Sequence, residues 1–457
     1  MAILFEYGKW ENGISDIKAL KQMLKDIWAQ DIYTQQEVEL TENEKDKRYQ
    51  PFLNFDGDWV RANNYVGFIQ NNDEVIEIYP KVFRNSKEAV NKKELMLRHI
   101  FYWFGYCRKW KFPFNQTSLD TIDIEKFPEL IINLISNQFL EVVSKQPLTM
   151  YEQIQEALQT PRGSINFERY ITNNFSHGNY QNIDCDYEPF LIDNKVNRII
   201  KYCCRLLLNQ TKFYENERIL QEIIFILDEV KDSSFIAHEI ERISFNSFFI
   251  DYSMVMDSCK FILNQQLYSN NAYDLSQWCL LFPMEYIFED FFAGFLKDRF
   301  QKEWIVKYQK SEMYLATNQD GKNVFNLQHD IFLTLKGNPS LKIIVDTKYK
   351  LRDDNFKTDL KKGIEQSDLY QMVSYALRRG CTDIVLVYPN LSENLNEPDT
   401  FEIISGFEKH EIIKVTAIEI PFWSFTNFDK LTIELEKTIV KALSEIRYKT
   451  TTEILLH

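Results

Sequence analysis

Two short apolar runs joined by a tight polar turn constrain this chain most. Ile331-Phe-Leu-Thr-Leu335 and Leu341-Lys-Ile-Ile-Val345 are rich in β-branched and large apolar residues, with Lys336-Gly-Asn-Pro-Ser340 between them. Such runs favour strands and Gly-Asn-Pro favours a turn, so 330–350 reads as a β-hairpin. An acid stands at each outer end. Asp330 precedes the first run, and Asp346-Thr347-Lys348 follows the second. A hairpin centred on Asn338 sets Asp330 opposite Asp346, with Cβ atoms about 5 Å apart. Asp346 and Lys348 alternate with Thr347 and leave the same strand face. Opposed carboxylates repel unless a cation lies between them, so two acids and one base at one point suit a divalent metal and an activated water. An Asp-x-Lys at a strand end is by itself more often a solvated edge. The facing Asp330 and the apolar strands shift the balance, because an unpaired charge beside an apolar layer is costly.

The surroundings of the hairpin read as α/β. Pro283 to Phe300 has helical spacing, 303–309 is strand-like, and Lys362 to Arg379 is an amphipathic helix stopped by Gly380. Asp383 to Pro389 is an unbroken apolar run, as in a strand buried on both faces. Strand 413–420 and helix 428–447 follow. Residues 276–457 are therefore expected to form a mixed central sheet flanked by helices. Residues 1–115 read as a mixed, β-rich domain, with a helix over 15–30 and a hairpin pairing 64–69 with 74–79. Residues 116–275 read as mainly helical, over 126–145, 195–209, 217–230 and 248–266, interrupted at Thr160–Phe167 by a turn entering a strand-like stretch.

At 457 residues the chain is long enough for two or three domains with large cores. Its net charge of −14 argues that any nucleic-acid contact is local or shared with a more basic partner. Seven cysteines, with no Cys-x-x-Cys, fit reduced thiols in the cytoplasm better than a disulfide framework or a zinc site. The acid in Met1-Ala-Ile-Leu-Phe-Glu6 argues against a signal peptide, and no apolar run reaches the roughly 18 residues of a membrane span. No G-x-x-x-x-G-K-[S/T] occurs, so the chain is not expected to bind GTP by a P-loop.

Hydrolysis of a phosphodiester needs neutralised phosphate, a nucleophilic water and a stabilised leaving oxygen, most of which a carboxylate-held divalent cation supplies. Mg²⁺ prefers oxygen ligands and often takes only one or two protein carboxylates. Asp330 and Asp346 are the candidate ligands, with the Thr347 carbonyl as a third and Mn²⁺ as the substitute ion. Lys348 would orient or help deprotonate the water, or stabilise the phosphate. Glu289, on the preceding helix, would complete the metal's water shell if that helix packs beside the hairpin. Gln371 and Tyr375 share one face of the next helix; as a pair alone they are more often solvated or packed than functional.

Asp330…Asp346-Thr-Lys348 followed by Asp368-Leu-Tyr-Gln371-Met-Val-Ser-Tyr375 resembles the PD-(D/E)xK nuclease superfamily, and the Gln-x-x-x-Tyr helix matches its RecB-like branch. His329 stands where that motif has Pro. Ile76-Glu-Ile-Tyr-Pro80-Lys81, Arg162-Gly163-Ser-Ile, Asp193-Asn194-Lys-Val-Asn197-Arg198 and Phe288-Glu289-Asp-Phe, in that order, are similar to the McrC family over roughly 60–390. McrC is the nuclease subunit of GTP-dependent McrBC restriction systems for modified cytosine. The resemblance implies a PD-(D/E)xK domain with Asp330, Asp346, Lys348, Gln371, Tyr375 and Glu289 as its site. It implies Mg²⁺ as the cofactor and double-stranded DNA as the substrate. It further implies a partner, a McrB-like AAA+ ring that binds GTP and is stimulated by the N-terminal region of this chain. On that footing the chain is a Mg²⁺-dependent endonuclease subunit defending the cell against foreign DNA. A catalytically silent adaptor that only activates the GTPase, and a RecB-like exonuclease, are the competing readings. Lys81 either faces the ring or caps a strand end; Arg162 either reaches the GTPase or pairs with nearby acids; Asn197 and Arg198 read as structural.

Overall fold

The computed structural model describes residues 2–29, 51–72, 74–86, 93–108, 126–151, 153–241, 243, 245, 249–266, 277–308, 313–327, 330–352, 359–404 and 412–454. The N-terminal part runs β1 (Ala2–Phe5), α1 (Ile17–Ala29), β2 (Leu53–Asp56), β3 (Trp59–Ala62), β4 (Tyr65–Asn71), β5 (Glu74–Tyr79) and α2 (Lys93–Tyr106). The middle runs α3 (Phe127–Lys145), β6 (Met150–Tyr151), β7 (Ile154–Leu158), β8 (Ser164–Ile165), β9 (Ile183–Tyr187), β10 (Phe190–Leu191), α4 (Lys195–Gln210), α5 (Tyr214–Ile226) and α6 (Ile250–Gln266). Then come β11 (Gln277–Pro283), α7 (Met284–Phe300), β12 (Trp304–Tyr308), β13 (Met313–Thr317), β14 (Asn323–Leu327), β15 (Ile331–Leu335) and β16 (Asn338–Thr347). The chain continues with α8 (Gln366–Arg379), β17 (Asp383–Pro389), β18 (Asp399–Ile404), β19 (Ile412–Ile420) and α9 (Phe428–Ile454).

The expected 64–79 hairpin forms as β4 and β5, and β1 joins β5 in parallel. The fourth strand of this sheet is β11, which pairs antiparallel with β4 from about two hundred residues further along the chain. Leu4, Ile69, Ile76, Ile78 and Leu281 cover one face of the sheet with the apolar stripe of α1, namely Leu20, Met23, Leu24, Ile27 and Trp28. Val66, Phe68, Tyr79 and Trp278 cover the other face with α2 and α3. α3 begins where buried Glu77 accepts the Phe127 N–H at 2.8 Å, which satisfies one of the donors a helix start leaves open.

The middle region is less helical than the sequence suggests. β7, β9 and β8 make a small antiparallel sheet, and β10 pairs with β6. No described residue from Met150 to Leu191 belongs to any of the three hydrophobic cores. The strand-like stretch expected at Thr160–Phe167 forms as β8; periodicity does not find the others, because they are short, several of them are mostly exposed, and they lack the regular apolar alternation of a core strand.

The C-terminal α/β unit carries a mixed six-stranded sheet, ordered β12-β15-β16-β17-β19-β18. β16, β17 and β19 are mutually parallel, and the outer pairings are antiparallel. Alternation of side chains gives the sheet two buried faces. Ile343, Val345, Val385 and Val387 pack with Phe288, Phe291 and Phe295 of α7 in the largest core. Ile344, Ile384, Leu386 and Tyr388 pack with Met372, Tyr375 and Ala376 of α8. α8 starts at Gln366 rather than Lys362 and ends as expected, with Gly380 at φ +59°. Among the described residues no helix is long and apolar enough to cross a membrane.

Candidate functional site

The aspartates meet because of a bulge. The turn occupies Lys336 and Gly337, and Leu335 pairs with Asn338, so the turn is not centred on Asn338. Continued without interruption, that pairing would set Asp330 against Ile343. Instead the register shifts at Thr334, which pairs with Lys342, leaving Pro339, Ser340 and Leu341 as extra residues on β16. Pro339 donates no hydrogen bond, so it suits a bulge and not a regular ladder. Beyond the shift, Phe332 faces Ile344 and Ile331 faces Val345. The next step outward is Asp330 and Asp346. The register is the one an Asn338-centred hairpin would have given, reached by a different backbone.

Asp346 shares a face with Ile344 and is almost fully buried beneath α8. Its Oδ2 lies 2.8 Å from Lys348 Nζ. Burial and the nearby Asp330 carboxylate, partly offset by Lys348, push the Asp346 carboxyl up to about 7. Asp330 Oδ2 accepts hydrogen bonds from the Thr347 backbone N–H at 2.8 Å and from Thr347 Oγ1 at 2.7 Å. Burial raises its pKa as well, against the lowering effect of those two bonds. Thr347 therefore enters the site first as the residue that orients Asp330. Burial pulls the Lys348 pKa down, but the carboxylates of Asp346, Asp368 and Asp330 outweigh it and the net shift is upward. Lys348 is thus an ammonium at neutral pH.

Asp368, the first residue of the Asp368–Tyr375 motif, joins the site although the motif by itself assigns it no role. It sits in the first turn of α8, where an acid is favoured by the helix dipole. Its Oδ1 lies 3.4 Å from Lys348 Nζ and its Oδ2 3.1 Å from Lys350 Nζ. Lys350 also pairs with Glu365 at 2.8 Å. The available signal was spacing, since Asp368 stands one helical turn before Gln371 and shares its face. Gln371 Nε2 donates to Tyr375 Oη at 2.7 Å; Tyr375 is buried in the α8 core and Gln371 is exposed. Buried Tyr388 closes the β17 side, with its phenol pKa raised by burial and by Asp368.

Glu289 stands apart. It is half-buried on α7, the helix that covers the face of the sheet opposite Asp346. Among the described residues no group of three or more His, Cys, Asp and Glu side chains is arranged to hold a metal, so Glu289 is not gathered into a ligand set with Asp330 and Asp346. His329 lies outside the described residues.

The N-terminal motif residues divide as follows. Lys81 turns inward, with Nζ 4.2 Å from the ring centroid of Tyr349. Asn197 is buried and donates to the Leu148 and Ile192 carbonyls, while Arg198 grips Asp193 at 2.6 and 2.8 Å. Both are structural, as their helix suggested. Arg162 is exposed beside Tyr187, in a loop where Gly163 adopts φ +65°. All seven cysteines are buried, and none is in a disulfide.

A family model described as McrBC 5-methylcytosine restriction system component matches residues 60–389. No curated protein matches the sequence. Among solved structures, a chain of the refined half-complex from the tetradecameric assembly of Thermococcus gammatolerans McrB AAA+ hexamers with bound McrC superposes with a TM-score of 0.69 at 16% identity, over 96% of this chain and 99% of that one. A chain of the Thermococcus gammatolerans McrBC complex, solved by cryo-electron microscopy, gives 0.50 at 18% identity, over 65% of this chain and 86% of that one. The structural likeness carries the fold, and the family match carries the assignment. This chain belongs to the McrC family of McrBC 5-methylcytosine restriction system components.

Proposed function

We propose that the chain is the DNA-cutting subunit of a restriction complex driven by a ring-forming AAA+ GTPase. The observation that carries the reading is the Asp330–Asp346 pair at the end of β15 and β16, Asp330 half-buried and Asp346 almost fully buried, with Lys348 Nζ 2.8 Å from Asp346. A carboxylate pair whose burial lifts its pKa is short of positive charge. The donors on offer, Asp330, Asp346 and Thr347, are hard oxygens with no His or Cys among them, which fits Mg²⁺ or Mn²⁺ and not a closed zinc site. Asp330 and Asp346 would hold the ion, with the Thr347 carbonyl as the further oxygen.

Bound Mg²⁺ would supply charge neutralisation on a phosphodiester and a water acidic enough to attack it. Thr347 fixes the rotamer of Asp330 through two hydrogen bonds to one oxygen. Lys348, being protonated, accepts no proton; it stabilises negative charge as it develops on phosphate. Asp368 holds both Lys348 and Lys350 toward the site from α8. The superfamily fold is the natural home for this arrangement, since the site lies at the ends of central strands of a mixed sheet flanked by α7 and α8.

The partner reading rests on the likeness to a chain from assemblies of McrB AAA+ hexamers with bound McrC. On the molecule itself, the β6–β10 segment offers the contact surface. Tyr151, Phe167, Tyr180 and Phe190 are 58–71% exposed there, and clustered exposed aromatics mark interaction sites. The N-terminal sheet is a poorer candidate than the sequence suggested, because its Lys81 faces inward.

The deciding experiment is Asp346→Ala, assayed with partner, GTP, Mg²⁺ and DNA. The variant is expected to lose cleavage while keeping complex formation and GTPase stimulation. If it loses partner binding as well, the residue is structural and this reading falls. If the unaltered complex stimulates GTP hydrolysis and leaves DNA intact, the silent-adaptor reading replaces it.

A further inference from the structure

The N-terminal sheet reaches the candidate site through one buried polar cluster. Glu6 follows β1, Lys81 follows β5, and Tyr349 comes directly after Lys348. Tyr349 Oη donates to Glu6 Oε2 at 2.8 Å, and the Lys81 backbone N–H donates to the same oxygen at 3.0 Å. The Lys81 ammonium lies 4.2 Å from the Tyr349 ring centroid and 5.3 Å from that of Tyr7. Phe288 of α7 packs on the Tyr349 ring, with centroids 5.7 Å apart. Glu6 is 0% exposed and Tyr349 4%.

Stability does not account for this cluster. Buried charges are usually replaceable by apolar residues of similar volume with little or no loss. What a carboxylate, an ammonium and a phenol provide beyond packing is direction: one ring is held in one place. That ring sits at the centre of a tight turn. The Lys348 N–H donates to the Val387 carbonyl at 2.8 Å, and the Lys350 N–H donates back to the Lys348 carbonyl at 2.7 Å. Lys348 and Lys350 flank Tyr349, and both bind Asp368. The tyrosine is anchored in the N-terminal domain while its two neighbours reach the candidate site.

We propose that Glu6, Lys81 and Tyr349 are positioning residues through which the N-terminal sheet sets where Lys348 and Lys350 stand in the site. What those lysines do there rests on the nuclease reading above; that the seam holds them does not. A displacement of about 1 Å at reacting groups can cost about a hundredfold in rate, so a shift of the N-terminal sheet would be felt in the chemistry.

The test uses the full chain and two readouts. Tyr349→Phe removes the hydroxyl and keeps the ring; Glu6→Gln keeps the shape and removes the charge. Amide hydrogen exchange is measured over 345–350. Single-turnover DNA cleavage with partner, GTP and Mg²⁺ is measured against DNA concentration. Both variants are expected to exchange about tenfold or more faster at 348–350, with α8 and β19 unchanged. Their cleavage rate at saturating DNA should fall about ten- to a hundredfold, with the half-saturating DNA concentration unchanged. Lys81→Arg should retain the rate, because a guanidinium also stacks on tyrosine faces, whereas Lys81→Met should not. Exchange equal to the unaltered chain in folded variants would overturn the proposal. So would a rate loss matched by equal losses in thermal stability and GTPase stimulation. Should Tyr349→Phe fail to fold, the Lys81 pair decides by the same two readouts. Should the unaltered complex not cut DNA, the nuclease reading fails, and exchange at 348–350 still decides the seam.

Discussion

At the scale of single residues, the site is a set of acids forced together and kept from repelling by lysines. The raised carboxyl of Asp346, near 7, has a direct consequence for metal binding. A ligand must lose its proton to bind, so affinity falls as pH drops below the ligand's pKa. Mg²⁺ or Mn²⁺ affinity of the chain should therefore weaken by about tenfold per unit as pH falls below about 7. Calorimetric titration at pH 6 and 8 checks this, and equal affinities would remove Asp346 from the ligand set. Thr347→Val keeps the shape of the side chain and deletes one of the two bonds to Asp330. Loss of a hydrogen bond to a charged group costs about 1.5–3 kcal/mol, so cleavage should slow about ten- to a hundredfold with DNA binding unchanged. Asp330, Asp346, Lys348, Gln371 and Tyr375 were legible as candidates because their types and spacing suffice to mark chemistry. Asp368 was not, since its partners come from another element: the lysines it holds lie on and after β16.

At the scale of elements, the β15–β16 hairpin shows how a local irregularity preserves a site. Its register is kept by a bulge that takes up the three extra residues Pro339, Ser340 and Leu341. An odd shift moves every side chain of a strand to its other face. Deleting 339–341 removes the extra residues and the bulge together, with no such shift: Lys342 then follows Asn338 directly and still faces Thr334, so Asp330 stays opposite Asp346 and divalent-metal binding should survive; titration of Mn²⁺ against the deletion variant measures it. The helices make a parallel point. α2 and α7 approach so closely that a Cβ at Gly294 would lie 1.8 Å from the Tyr106 carbonyl oxygen. Gly294→Ala must push two backbones apart and should destabilise the chain by about 1–3 kcal/mol, read as a lowered thermal midpoint. Sequence periodicity placed α1, α3, α4, α6 and α7 to within a few residues, because each carries a long apolar stripe. It missed β13, β14 and β18 as well as most of the small middle sheet, where short strands give no such stripe.

At the scale of the whole molecule, one continuous core joins the N-terminal sheet, the middle helices and one face of the C-terminal sheet. α2 shows the joint, with Trp103 stacked 3.9 Å from Phe422 and its indole N–H donated to the Phe422 carbonyl at 2.9 Å. The polar cluster of Glu6, Lys81 and Tyr349 crosses the same joint, and it makes stability depend on pH. Burial raises Glu6 from an ordinary 4.5 to about 7. The folded chain then holds a proton that the unfolded chain releases between those values, so stability falls as pH rises through that window, by at most about 3 kcal/mol. Comparing thermal midpoints at pH 5 and pH 8 should show this fall in the unaltered chain and a smaller one in Glu6→Gln. By itself the sequence determined much of the local chemistry: the helices with long apolar stripes, the apolar core strands, and where the acids and lysine of the site lie. Those follow from residue type and short spacing, which act within a turn or a hairpin. Only the tertiary structure decided that β11 completes the N-terminal sheet, that α7 places Glu289 on the far face, and that Lys81 points at Tyr349. Those contacts join residues far apart in the chain, where packing of whole elements, and not any local pattern, sets which side chains meet.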